Sequence, residues 1–157
     1  MSICKKHDTV TAYIFSPDFT RILMVKKRFS SRLMPPGGHV EKGEAFIDAA
    51  FREVYEETGV EPTGLTKIHF DRRLPDGHPD YTVSAPTQDE EFVVTERVND
   101  RHYHIDHIYC FRLSCDALPK PPRSLEIARV EWLAVSDIRR EDFYPNVFDT
   151  IAFFRKG

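Results

Sequence analysis

Residues 38–60 read GHVEKGEAFIDAAFREVYEETGV, and the fold follows from how that stretch is read. Gly38 is followed after five residues by Glu44, and after seven more by Arg52-Glu53-Val54. Glu56-Glu57 and Gly59-Val60 complete the pattern. Seven fixed residues and two aliphatic positions coincide by chance on the order of 10⁻¹⁰ times per starting point. Inside the stretch Ile47, Ala50, Phe51 and Val54 recur at spacings of three and four, the mark of one buried helical face. At about 100° per residue, Glu53, Glu56 and Glu57 gather within an arc of about 100° on roughly the opposite side. Gly59 stands where a left-handed cap ends a helix, and a Schellman ending would pack Val60 back on Tyr55. Gly37-Gly38, just ahead of the helix, permits a tight backbone path and close approach of a ligand, although such a pair alone also makes an ordinary turn.

Three carboxylates at i, i+3 and i+4 repel one another by a few tenths of a kcal/mol per pair on an exposed helix. A hard divalent cation removes that repulsion and suits an all-oxygen site. Three acids by themselves would make a solvated face. Gly38, Glu44 and Arg52 at fixed offsets argue for a site instead. Arg52 lies one turn before Glu56 and is placed to hold its carboxylate, an organising role.

The stretch resembles the signature of the Nudix hydrolases, with every element of it present, over 23 of the 157 residues. The resemblance implies an α/β protein of the Nudix fold: an α/β/α sandwich with a mixed β-sheet and a catalytic loop-helix-loop, here a single domain over residues 1–157. It implies Mg²⁺ or Mn²⁺ as cofactor, with Glu56 and Glu57 as leading ligands and Glu53 as a further ligand or the base that activates water. Arg52 joins these three in the catalytic set. The carbonyl of Gly37 would add a backbone ligand, Gly38 would support the loop, and Glu44 would support the loop or a second cation. The activity implied is cleavage of the diphosphate linkage of a nucleoside diphosphate derivative, of the ADP-ribose kind, by attack of metal-activated water. The chemistry is coherent, since a diphosphate repels a nucleophile and its cleavage drives charge onto a leaving phosphate. A carboxylate beside the water can take its proton. Two alternatives stay open: removal of diphosphate from modified nucleoside triphosphates, and a ligand-binding or regulatory module without catalysis. Family members often carry Leu before Pro-Gly-Gly, where this chain has Pro35.

The remainder is read around that centre. Residues 10–15 and 22–27 predict two strands joined by the turn chemistry of Ser16-Pro17-Asp18, with a loop from 28 to 36. Residues 65–70 predict a strand. Pro75, Gly77, Pro79 and Pro86 then predict a long irregular segment suited to substrate selection. Pro75 lies near the place where Nudix enzymes acting on ADP-ribose carry a proline, though a turn explains it equally. Residues 102–113 predict a strand with Tyr103, Ile105, His107, Tyr109 and Phe111 on one face and His102, His104, Asp106, Ile108 and Cys110 on the other. His104 and Asp106 are candidate substrate contacts. His102 with His104 also has the spacing of a zinc-binding pair, and a polar strand end is the plain reading. Strand alternation puts Lys26 and Arg28 on one face, with Arg28 the candidate for phosphate oxygens. Glu90, Glu91 and Glu96 offer a further acid without singling one out. Residues 128–134, with Trp132, predict a last strand, and Phe148, Ile151, Ala152 and Phe154 a terminal helix. Pro119, Pro121 and Pro122 mark a linker between strands. The aromatic residues read as core or dimer contacts, so a homodimer stays open.

Composition bounds the rest. A chain of 157 residues with 41% hydrophobic and 30% charged residues can bury a core and is not wholly disordered. A net charge of −3 gives no electrostatic case for broad nucleic-acid binding. The partner expected is a small nucleotide or diphosphate substrate. No apolar run is long enough for a membrane span, and the first ten residues lack a signal-peptide core. Cys4, Cys110 and Cys115 are odd in number and lack paired metal spacing, so reduced thiols and a cytoplasmic location are the expectation.

Overall fold

The computed structural model describes residues 5–115, 117–119 and 125–156. Among these described residues nine strands, β1 (Lys5–Phe15), β2 (Arg21–Lys27), β3 (Leu33–Met34), β4 (Gly37–His39), β5 (Leu65–Lys67), β6 (Tyr81–Ser84), β7 (Phe92–Asn99), β8 (His102–Leu113) and β9 (Ile127–Ala134), form one mixed sheet. Two helices accompany it, α1 (Phe46–Thr58) and α2 (Pro145–Arg155). The long strands β1 and β8 run parallel along their whole length, from Lys5 opposite His102 to Phe15 opposite Arg112. Both then share their outer edges between two partners. β1 meets β4 through Thr9–Thr11 and β2 only at Phe15. β8 meets β7 through its first half and β5 through its last.

Alternation sorts the side chains of β1 and β8 onto two cores. Val10, Ala12, Ile14, Tyr109 and Phe111 pack under Ala49, Ala50 and Val54 of α1. Tyr13, Phe15, Ile108 and Cys110 pack under Val147, Ile151, Phe153 and Phe154 of α2. Each sheet face therefore carries one helix, as an α/β/α sandwich requires. Burying a side chain such as Phe111 or Phe154 is worth about 1.5–3 kcal/mol, which holds both layers. Thr9, Thr11, His104 and Asp106 share the α2 face of the sheet.

Helix α1 follows the expected period, with a narrower seam: Ala49, Ala50 and Val54 are buried, while Ile47 and Phe51 pack at its margin. Gly59 takes the left-handed conformation at φ 78°, and its N–H donates to the Tyr55 carbonyl. The ending departs from the expected Schellman contact. The Val60 N–H donates to Thr58 Oγ1, and the Val60 side chain enters the α1 core while Tyr55 stays exposed. Three strand expectations are also corrected. β5 ends at Lys67, although Ile68 N–H still reaches the Cys110 carbonyl. The proline-rich stretch contains β6, whose Tyr81 and Val83 point inward between Pro79 and Pro86. The loop 28–36 contains the short β3. Cys110 is buried and unpaired and Cys115 exposed. Cys4, Pro121 and Pro122 lie outside the described residues. No helix among the described residues is long and apolar enough to cross a membrane.

Candidate active site

The site begins with two glycines packed against β1. The Ala12 N–H donates to the Pro36 carbonyl and the Val40 N–H to the Asp8 carbonyl, so residues 36 and 40 turn their backbone toward β1. Strand alternation turns the N–H and C=O of Gly37 the opposite way. There the Gly37 N–H donates to Glu57 Oε1 at 2.9 Å, and the carbonyl is directed to the same edge. A Cβ at Gly37 would collide with the Val10 carbonyl oxygen. A Cβ at Gly38 would lie 2.5 Å from Glu53 Oε1 and 2.6 Å from its Cδ. Neither glycine has a positive φ, so both are required for space. They let two carboxylates of α1 pack directly on the strand backbone.

Arg52 ties this corner together. Its Nε donates to Glu44 Oε2 at 2.8 Å and its Nη2 to Glu44 Oε1 at 2.9 Å, a bidentate pair. Its Nη1 donates to Glu53 Oε1 at 2.9 Å and to Glu56 Oε2 at 3.4 Å, and Nη2 also reaches the His39 carbonyl at 3.0 Å. Glu44 in turn accepts the Glu41 N–H at 3.0 Å. The Arg52 hydrogen bonds hold Glu44 below the usual carboxylate range. The expectation made Arg52 a holder of Glu56; the structure gives it a wider hold, strongest on Glu44 and Glu53.

The three helix acids differ in setting. Glu56 has its side chain 54% exposed, whereas the Glu57 side chain is 5% exposed and Glu53 14%. Burial pushes the Glu57 carboxyl up to about 7, against the pull of Lys27 and the Gly37 N–H. Burial also raises Glu53, opposed by its Arg52 bond. Among the described residues Lys27 is the cation paired with Glu57, its Nζ 3.9 Å from Oε2. Among the described residues no three histidine, cysteine or acidic side chains already stand as a finished metal cage. The donor chemistry nevertheless fits a hard divalent cation. Two desolvated carboxylates, a third at their side and an outward backbone carbonyl are all oxygen donors short of positive charge.

Beside the glycines lies a cleft of about 260 Å³, lined by Thr9, Thr11, Lys27, Glu96, His104, Asp106 and Asn146 among others. Gly37 and Gly38 form its floor, and Glu53, Glu56 and Glu57 are not part of its lining. The acids and the cleft thus meet across the backbone of β4, with Lys27 touching both. His104 and Asp106 both line the cleft. Asp106 is buried and accepts Thr9 Oγ1 at 3.0 Å and Thr11 Oγ1 at 2.7 Å, so it braces the wall. Burial pushes its carboxyl up to about 6, with the threonine bonds opposing.

Arg28 is not brought to the cleft: it is exposed, and Lys27 takes the place expected for it. The cause is that β2 ends at Lys27 and Arg28 falls in the turn beyond it, while Lys27 keeps the parity of Leu23 and so faces the α1 side; the register break against β9 places its extra residue, Ala128, on β9. Lys26 bonds the Ser30 carbonyl at 2.8 Å instead. Glu90 and Glu91 are buried in structural bonds. Glu90 accepts the Thr87 and Gln88 N–H groups and pairs with His107, and Glu91 accepts the Phe70 N–H. Glu96 is the acid that lines the cleft, on β7 opposite His104. Thr9, Thr11 and Asn146 carry no sequence signal for the cleft, because chain pairing alone brings them there.

Comparison with known proteins gives a family and a fold. The profile of the family described as NUDIX domain matches residues 5–154. Mouse bis(5′-nucleosyl)-tetraphosphatase [asymmetrical] is 51% identical over 39 residues, which is 25% of this chain and 26% of that protein's length. Among solved structures, a NUDIX-family hydrolase from Clostridium perfringens superposes with a TM-score of 0.65 at 18% identity, covering 96% of this chain and 99% of the other. The Ap4A hydrolase of C. elegans, in a binary complex, gives 0.64 at 18% identity over 94% and 96%. The E. coli dihydroneopterin triphosphate pyrophosphohydrolase gives 0.66 at 19% identity over 98% and 97%. At these identities the three structures speak for a shared fold.

Proposed function

Because the chain belongs to the Nudix family, we propose that it hydrolyses the diphosphate linkage of a nucleotide derivative, at the edge where α1 meets the two glycines. The observation that carries this reading is the packing of Glu53 and Glu57 on Gly38 and Gly37, at the lip of the cleft. Nudix hydrolases act on pyrophosphate bonds and generally need a divalent metal. Here Glu56, Glu57 and the Gly37 carbonyl would hold Mg²⁺ or Mn²⁺. When bound, such an ion neutralises phosphate oxygens and acidifies water beside it.

The chain's own groups do the rest. Lys27 stands between cleft and acids and would draw a phosphate oxygen toward the glycine floor. Glu53 would take the proton of the attacking water. The water oxygen then bonds to phosphorus, and the bridging P–O bond breaks with its electron pair going to the leaving phosphate. Arg52 contributes by fixing Glu53 and Glu44, so that the carboxylate is aimed before substrate arrives. The cleft above β4, with Thr9, Thr11 and Asn146, would take the remainder of the substrate.

The test is incubation with Mg²⁺ and a panel of ADP-ribose, dinucleoside polyphosphates, nucleotide sugars and modified nucleoside triphosphates, with products identified by mass. Two phosphorylated products from a nucleotide linked to another group are expected. Turnover confined to triphosphates, giving monophosphates and diphosphate, would replace the proposed substrate class. Binding without products would mark a regulatory module.

A further inference from the structure

Four imidazoles meet at one corner of the sheet, outside the acid site. His7 lies on β1, His39 on β4, and His102 and His104 on β8, with β1 the middle strand of the three. His7 stands opposite His104, and Lys5 opposite His102. His39 stands opposite Thr9, two residues from His7. Side chains two apart share a face, so all four project from the same side. Ring centroids are 5.5 Å apart for His39–His104, 5.5 Å for His7–His102, 5.7 Å for His7–His39 and 6.4 Å for His7–His104. Four rings arranged tetrahedrally on zinc, with Zn–N bonds of about 2.0–2.1 Å, have centroids about 5 Å apart. The four ring pairs in contact, all but His39–His102 and His102–His104, stand within about 1.5 Å of that spacing before any metal is added.

We propose that His7, His39, His102 and His104 form a zinc site that ties the outgoing end of the glycine loop to β1 and β8. Neutral imidazole is the ligand form. Glu96, opposite His104 on β7, adds an acid next to the cluster. His107, further along β8, shows the other way to settle a histidine here, bonded to Glu90 and Asp8 and stacked on Phe46. Three of the four contacts are edge to face, at 85–87°. The rings must therefore rotate to turn their nitrogens inward, consistent with the lack of a finished cage among the described residues. His39 and His104 also line the cleft, but this site differs from the proposed acid site in both donor type and preferred metal, and it does not depend on the hydrolytic reading.

The experiment uses the whole chain without an affinity tag, with Mg²⁺ in excess so that oxygen sites are filled. Zn²⁺ is titrated calorimetrically, and Co²⁺ is followed by visible absorption. One equivalent of zinc is expected, with a tetrahedral nitrogen-ligand cobalt spectrum. The double variant His7→Gln/His102→Gln should weaken zinc by about 100-fold or more, and His69→Gln, outside the cluster, should bind as the parent does. Circular dichroism checks the fold. If the double variant misfolds, His102→Gln alone, at the half-buried start of β8, makes the same comparison. Zinc binding no tighter in the parent than in the cluster variant, or an octahedral cobalt spectrum, would overturn the proposal.

Discussion

Gly38→Ala should cost this protein its activity and little of its fold. The added Cβ would lie 2.5 Å from Glu53 Oε1, 2.6 Å from Cδ and 2.8 Å from Oε2. Ordinary contact begins near 3.4 Å, so the carboxylate has to retreat by about 0.6–0.9 Å. That retreat strains or breaks its 2.9 Å bond from Arg52. A charge-assisted bond of this kind is worth about 1.5–3 kcal/mol when buried. With Arg52 22% exposed, solvent screening lowers the loss to about 1 kcal/mol. Misplacing a reacting group by about 1 Å costs on the order of 100-fold in rate. The expected result is kcat down about 100-fold with a fall in Tm of about 2–4 °C. Gly43→Ala is the control, because Gly43 has φ +80° and open space around it. It should lose about 1 kcal/mol to backbone strain and keep its turnover. Steady-state kinetics on the best substrate of the panel, with thermal unfolding of both variants, reads the difference. Parental kcat in Gly38→Ala, or equal kinetic loss in both, would refute the idea that Glu53 must pack on the strand.

Three further perturbations follow from the same geometry. Glu57→Gln keeps an acceptor for the Gly37 N–H but removes a buried charge, so metal-free Tm should rise while turnover falls about 100-fold or more; a lower metal-free Tm would count against it. Arg52→Lys cannot span both oxygens of Glu44 and the His39 carbonyl, so turnover should drop about 10-fold or more, and unchanged kcat would speak against the clamp. Asp106 is an acid whose folded pKa is raised to about 6 from 3.8, so its stabilising share is complete below pH 4 and lost as pH rises through 6. The difference is about 3 kcal/mol at most. Urea unfolding at pH 5 and pH 8 should therefore show Asp106→Asn gaining on the parent at the higher pH, and parallel pH profiles would refute this.

The helix, its glycine cap and the offsets of Glu44 and Arg52 were legible in the chain because each depends on neighbours within a few turns. The pairing of acids with glycines could be anticipated in kind. Its physical reason could not: a Cβ at Gly38 meets Glu53 only because β4 lies against β1. Lys27 was missed for Arg28 because β2 ends at Lys27 without any glycine or proline to announce it, so alternation no longer governs Arg28. β6 hid between prolines because four residues suffice for a strand when β7 supplies the partner. Glu96 was no different from Glu90 and Glu91 in sequence. Only the turn before β7 decides that the first two become buried acceptors and the third faces the cleft. The histidine corner was half visible as His102 and His104. His7 joins them through the parallel pairing of β1 with β8 and His39 through the antiparallel pairing of β4 with β1, which local pattern does not carry.

The central claim is that Glu56 and Glu57 of α1, beside the Gly37 carbonyl, hold the divalent cation on which turnover depends. Mn²⁺ titration followed by electron paramagnetic resonance tests it most directly, comparing the parent with Glu56→Gln/Glu57→Gln in the presence of a nonhydrolysable diphosphate analogue. The parent should remove free Mn²⁺ signal in proportion to protein, and the double variant should leave it nearly untouched. Equal uptake by both proteins would place the cation elsewhere and contradict the account.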